Sequence, residues 1–258
     1  MKELLYALPG GAADAGADFG LVPAHMTYEI AAGPKLTGIG LTPDIRGGAM
    51  LIACSGGTES GEPQYCCRQV LGECLRRGFD RVILDYEGDA GPAAQRLAAG
   101  LWRSCAQRGL PLYLSEPLAQ SAPGCRVLVS SRLLSGTLEG VLRDAMTRWG
   151  REQVVLAIDA GAEDYPLPVA GRSGAPLEPE RLRTMMGRLE PAVFFDRGLC
   201  AHYFTYMAQG GQAHFILFDT ARSVREKLNT AQRLGVPSAL LAAPQVAGWL
   251  GEIFAPPG

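Results

Sequence analysis

At 258 residues, with 24 basic against 26 acidic side chains and a formal charge of -2, the chain can bury one sizeable core. No basic stripe interleaves with aromatics, which excludes nucleic acid as an expected partner, and His25, His202 and His214 are too few for a His-rich metal centre. Seven cysteines without a C-x-x-C pair read as reduced, buried thiols rather than a disulfide framework.

In chain order, the opening Met1 to Gly10 has too short an apolar run before Pro9 for a signal peptide, and no later run approaches a membrane span. The expectation is cytoplasmic synthesis without an export signal and with no membrane partner. Strand-like runs rich in Leu, Val and Ile recur at Glu3 to Leu8, Ala49 to Cys54, Arg81 to Tyr86, Leu110 to Leu114, Arg126 to Ser130, Gln153 to Ile158 and Pro237 to Leu241. Amphipathic helical patterns separate most of them. Pro63 to Arg77 stops at Gly78, Pro92 to Arg108 at Gly109, and Thr137 to Trp149 at Gly150; Pro179 opens another helix. Ser223-Val224-Arg225-Glu226 reads as a capping box, and Gly235 closes the helix behind it.

Two regions depart from this alternation. Residues 10 to 48 offer Ala24 to Ile30 and Leu36 to Leu41 as competing second strands, and Glu116 to Cys125 has hardly room for a crossover helix. Ala192 to Asp196, His202 to Met207 and Ala213 to Asp219 are close-spaced aromatic strands, with Gly210-Gly211 as a hairpin turn. The pattern predicts an α/β fold: a single, trimmed (β/α)8 barrel of the TIM type over residues 1–258. A small antiparallel β insertion, at about residues 192–219, precedes the last helix and strand.

The chemistry centres on Phe79 to Gly88. A run apolar on both faces reads as a buried parallel strand, and its alternation turns Ile83, Asp85 and Glu87 one way and Val82, Leu84 and Tyr86 the other. Two carboxylates thus share one face at the carboxyl end of a strand, where barrel folds place their active sites. The competing reading of such a D-x-E is a helix-capping acid with a solvated neighbour.

Asp80 to Glu87 resembles the D-x-x-D-x-D-x-E signature on the fourth barrel strand of glycoside hydrolase family 18, the chitinase family. Cys54-Ser55-Gly56-Gly57 looks like that family's S-x-G-G motif, with cysteine in the serine place. Ile158 to Pro168 and Phe218 to Leu228 are similar to late segments in the branch that includes spore cortex-lytic and spore germination hydrolases, so the match runs over roughly residues 49–245.

The resemblance implies substrate-assisted hydrolysis, in which the sugar's own acetamido oxygen attacks the anomeric carbon. It implies Glu87 as the acid and base and Asp85 as the group that orients the acetamido, with no cofactor and no metal. The middle aspartate of the signature is Ile83 here. The tyrosine expected on the sixth strand falls near Ser130 or Ser131, and the tryptophan expected on the last strand falls near Ala242.

Ser131, Glu116, Asp159 and Tyr206 are the candidate substrate-lining residues. Against these roles stand a solvated loop acid for Glu116, a strand-exit cap for Asp159 and packing within the insertion for Tyr206. Two functions follow as expectations. One is a divergent glycoside hydrolase on an N-acetylhexosamine glycan, peptidoglycan or chitin-like. The other is a catalytically impaired barrel that binds glycan or serves a structural, spore-associated role. A third arrangement, a divalent cation held by Asp85, Glu87 and Glu116, would make it a different barrel enzyme. The oligomeric state is left open.

Overall fold

The computed structural model describes residues 1–30, 35–55, 63–88, 90–169 and 174–255. Its strands are β1 (Glu3–Pro9), β2 (Val22–Ile30), β3 (Leu36–Gly38), β4 (Ala49–Ser55), β5 (Arg81–Glu87), β6 (Leu112–Ser115) and β7 (Arg126–Ser130). They continue as β8 (Val154–Ile158), β9 (Ala162–Pro166), β10 (Ala175–Pro176), β11 (Phe194–Asp196), β12 (Ala201–Met207), β13 (Ala213–Phe218) and β14 (Ser238–Ala242). The helices are α1 (Pro63–Arg77), α2 (Pro92–Ala106), α3 (Leu138–Trp149), α4 (Pro179–Leu189), α5 (Ala221–Leu234), α6 (Ala243–Val246) and α7 (Leu250–Ile253).

Eight strands, β1, β2, β4 to β8 and β14, pair in parallel, and β1 pairs with both β14 and β2, so the sheet closes into a TIM-type barrel. Because side chains alternate along each strand, one set fills the barrel and the other packs under the helices. Leu5, Leu51, Ile83, Tyr113, Leu128 and Val155 are among the residues of the interior layer. Tyr86 belongs to the outer core with α1 and α2, on the face opposite Asp85, as the alternation predicts.

The trimming falls on the helices rather than the strands. Of the two competing second strands, Val22–Ile30 joins the barrel and Leu36–Gly38 pairs antiparallel on its edge. A single 3-10 turn at Ala17–Phe19 links β1 to β2, and Glu116–Ser121 crosses from β6 to β7 as a 3-10 helix, the short connection that the spacing demands. The helix stops at Gly78 and Gly150 adopt positive φ, which glycine alone enters without strain.

The expected capping box at Ser223 is corrected by one turn. Thr220 is the N-cap of α5: its hydroxyl accepts the Ser223 amide at 3.4 Å, and the Ser223 hydroxyl accepts the Thr220 amide at 2.7 Å. Serine can stand in the N3 place usually held by Glu or Gln because its short oxygen still reaches the exposed N–H.

The antiparallel insertion is larger than residues 192–219. The three aromatic strands β11, β12 and β13 recruit β9 and β10 into a five-stranded sheet, and α4 covers one of its faces through Met185, Leu177, Phe204, Ile216 and Phe218. The other face, with Tyr165, Ala201 and Leu217, turns to the barrel mouth, where Glu163, Ala201 and Leu217 enclose a small cavity with Ser131 and Arg132.

All seven cysteines are free and buried, and burial pushes the Cys54 thiol up to about 11 and Cys66, Cys74 and Cys105 to about 12. Thiols held that high are inert core rather than nucleophiles. Among the described residues no helix is long and apolar enough to cross a membrane.

Candidate active site

Asp85 and Glu87 close β5 on its interior-facing side, both open to solvent at the mouth, while Ile83 one pleat below is fully buried in the apolar filling. Along a strand, residues on one face are about 7 Å apart, so the two carboxylates stand as neighbours over a dry floor. Across the ladder Ala53 lies beside Asp85 and Ser55 beside Glu87. Gly56 and Gly57 of the Cys54 motif lie outside the described residues.

On the other side of β5, Ser115 ends β6. Its hydroxyl donates to Asp85 Oδ1 at 3.2 Å and accepts the Tyr86 amide at 2.9 Å. Asp85 touches solvent yet sits low between strand ends, and crowding by protein raises its pKa above the ordinary aspartate value. The Ser115 hydrogen bond works against that rise, and the charges of Glu87 and Asp159 add to it.

Asp159 follows β8 and carries the densest network at the mouth. Its Oδ1 accepts Arg132 Nη2 at 2.6 Å and Gln245 Nε2 at 3.0 Å, and its amide donates to Ser131 Oγ at 3.1 Å. Arg132 also pairs with Glu163 of β9, whose second oxygen accepts the Tyr165 hydroxyl. One guanidinium thereby bridges the barrel's seventh strand exit and the insertion sheet. Gly161 leaves room for this guanidinium: a Cβ there would lie 2.9 Å from Arg132 Nη2 and push it aside.

The structure brings Glu87 and Asp159 within electrostatic reach of Asp85. It buries Ser131 beneath Asp159 and sets Glu116 and Tyr206 elsewhere. Ser131 is 1% exposed and its oxygen is occupied by the Asp159 amide. Glu116 turns to α3, pairing with Arg148 at 3.6 Å and accepting Trp149 Nε1 at 3.4 Å, so it does not complete a cation site with Asp85 and Glu87. Tyr206 lies on the α4 side of the insertion sheet, its hydroxyl donating to Asp164 at 2.9 Å.

Arg132, Glu163, Gln245 and Ser115 are mouth residues that the sequence reading did not single out. Ser115 and Arg132 both stand at or just past a strand's carboxyl end, a positional signal open to anyone who has placed the strands. Gln245 stands just beyond Ala242 in α6, where its side chain reaches Asp159 and the Ala160 amide. That is the quarter in which the resemblance expects a tryptophan.

These features define the class: a closed (β/α)8 barrel with an antiparallel insertion sheet and acidic strand ends at its mouth. No protein-family model matches the chain. The fold is shared with solved structures of chitinases and spore cortex-lytic enzymes. A chitinase from Chromobacterium violaceum matches at TM-score 0.68 and 16% identity over 98% of this chain and 99% of its own. The spore cortex-lytic enzyme SleL of Bacillus megaterium matches at TM-score 0.62 and 13% identity over 93% of this chain and 70% of its own. A class V chitinase from Nicotiana tobaccum, solved as a mutant in complex with NAG4, gives TM-score 0.63 and 13% identity over 95% and 94% of the two chains. At such identities the likeness establishes the fold, and it agrees with the resemblance carried by Asp80 to Glu87.

Proposed function

We propose that the chain is a divergent glycoside hydrolase acting on an N-acetylhexosamine glycan, either peptidoglycan strands or a chitin-like polymer. The observation that carries this is the pair Asp85 and Glu87 on one face of β5, open at the mouth of the barrel. Glu87 would protonate the glycosidic oxygen as the bond to the anomeric carbon breaks, while the acetamido oxygen of the same sugar bonds that carbon from the other side. Asp85 would accept the acetamido N–H and stabilise the positive charge that develops on the resulting ring. Water then opens the ring, giving its proton to Glu87 and restoring the acid.

The insertion sheet supports a sugar-binding wall. On its mouth-side face the rings of Phe194 and Tyr203 stack at 5.5 Å and Tyr203 and Phe215 follow at 5.4 Å. Aromatic faces of this kind pack against the apolar faces of sugar rings. Because spore cortex-lytic enzymes share the fold, spore peptidoglycan is the first polymer to test, and a spore-associated site of action belongs to this proposal.

Ile83 favours a second reading, a glycan-binding barrel without turnover, because a buried aliphatic residue stands where the signature has an aspartate. Release of reducing ends from chitin oligomers and of muropeptides from spore peptidoglycan decides between them. Hydrolysis by the wild type that falls about 100-fold or more in Glu87→Gln assigns the acid. Glycan binding without hydrolysis in either protein gives the second reading.

A further inference from the structure

Tyr206, read from the sequence as a lining residue, does line a groove, but one on the far side of the insertion sheet. The groove, of about 820 Å³, runs between α4 and the hairpin that joins β12 to β13. Met185 and Leu189 form its floor, Arg181 and Arg188 stand on the helix side, and Tyr206 and Gln209 face them. Arg181 and Arg188 are seven residues apart, nearly two helical turns, so they project from one side of α4 about 10 Å apart along its axis.

Both arginines are exposed, and among the described residues no carboxylate pairs with either. Asp164, beside Tyr206, is already engaged: Tyr206 donates to its Oδ2 at 2.9 Å, and His214 Nδ1 lies 2.7 Å from its Oδ1. The Thr184 hydroxyl is likewise spent on the Glu180 carbonyl at 2.9 Å. What the groove offers a ligand is two guanidinium forks, the Gln209 amide and an apolar floor.

We infer that this groove is a second binding site for an acidic glycan strand, one whose carboxylates recur at intervals that both arginines can meet. A guanidinium fork matches a carboxylate bidentately, and two forks spaced along one line select a repeating anion over a single one. Peptidoglycan has this chemistry, because each disaccharide carries a lactyl-linked stem peptide with free carboxylates, whereas chitin is uncharged. The inference rests on the glycan reading above and narrows it to peptidoglycan.

The test uses the full chain as Glu87→Gln, so that strands bind without being cut, and as Glu87→Gln combined with Arg181→Ala and Arg188→Ala. The probes are soluble, uncross-linked peptidoglycan strands with intact stem peptides and neutral chitin oligomers, followed by calorimetry at low and at physiological salt. Loss of the two arginines is expected to weaken strand binding about tenfold at low salt, less at high salt, with chitin oligomer affinity unchanged. Equal strand affinity in the two proteins, an equal loss for the neutral oligomers, or no strand binding without the substitutions overturns the site. Hydrolysis by the wild type with arginine-independent binding sinks the groove alone. Arginine-dependent binding in a protein that never hydrolyses glycan sinks only the catalytic reading.

Discussion

The Ser115 hydroxyl ties β6 to β5 at the barrel mouth, donating to Asp85 Oδ1 at 3.2 Å while it accepts the Tyr86 amide at 2.9 Å. That bond favours the Asp85 carboxylate, but crowding by protein, together with the Glu87 and Asp159 charges, outweighs it and leaves the pKa raised. An acid whose pKa is higher folded than unfolded holds more protons in the native state. Stability therefore falls as pH rises from the unfolded value through the folded one. Asp85→Asn removes this loss, so the variant should gain on the wild type near pH 7 and not near pH 3. Thermal unfolding at both pH values checks it; a constant offset would refute the sign.

Ile83 is the residue beneath Asp85. It is fully buried in the barrel's apolar filling with Leu51 and Tyr113, where a carboxylate finds no water. Ile83→Asp, which restores the signature, is expected to cost about 3 kcal/mol or more in urea unfolding, against about 1 kcal/mol for Ile83→Val. A stable Ile83→Asp protein with raised hydrolysis would show instead that the interior accepts the missing acid.

Arg132 offsets the charge of Asp159, which itself raises Asp85. In Arg132→Met the Asp85 carboxyl should titrate at higher pH than in the wild type, because a compensating cation is gone. Gly161→Ala should move it the same way by less, since the added Cβ displaces the guanidinium. Carboxyl carbon chemical shifts followed across pH report both, and an unmoved Asp85 would separate the two networks.

Lys227 and Asp219 form a pair at 2.8 Å with side-chain exposures of 2% and 7%, joining α5 to the end of β13. Lys227→Met strands the Asp219 charge and should cost about 3–5 kcal/mol, whereas Lys227→Met with Asp219→Leu should recover most of it. A double-mutant cycle by urea unfolding measures the coupling. The pair also bears on the mouth, since the Asp219 amide donates to the Gly161 carbonyl at 3.0 Å beside Arg132.

Whatever depends on local periodicity and backbone chemistry was legible in the residues alone. The alternation in Arg81 to Glu87 puts Asp85 and Glu87 on one face and Tyr86 on the other, because successive strand side chains point oppositely whatever the strand packs against. Glycine at 78 and 150 stops α1 and α3 because only glycine enters positive φ freely. The short reach from Glu116 to Cys125 barred an α-helix for reasons of length alone.

Tertiary structure decided the rest, because it set which distant groups meet. Arg132 and Asp159 are 27 residues apart and Gln245 and Asp159 are 86 apart; neither spacing has a local signature, and only the pairing of β8 with β7 on one side and β14 on the other joins them. The same holds for the insertion sheet. Tyr206 and Tyr203 are both strand tyrosines in sequence, but docking of α4 on one face gives Tyr206 to the arginine groove and leaves Tyr203 in the aromatic wall at the mouth. Alternation tells which residues share a face, and only the packing of a second layer tells what that face meets.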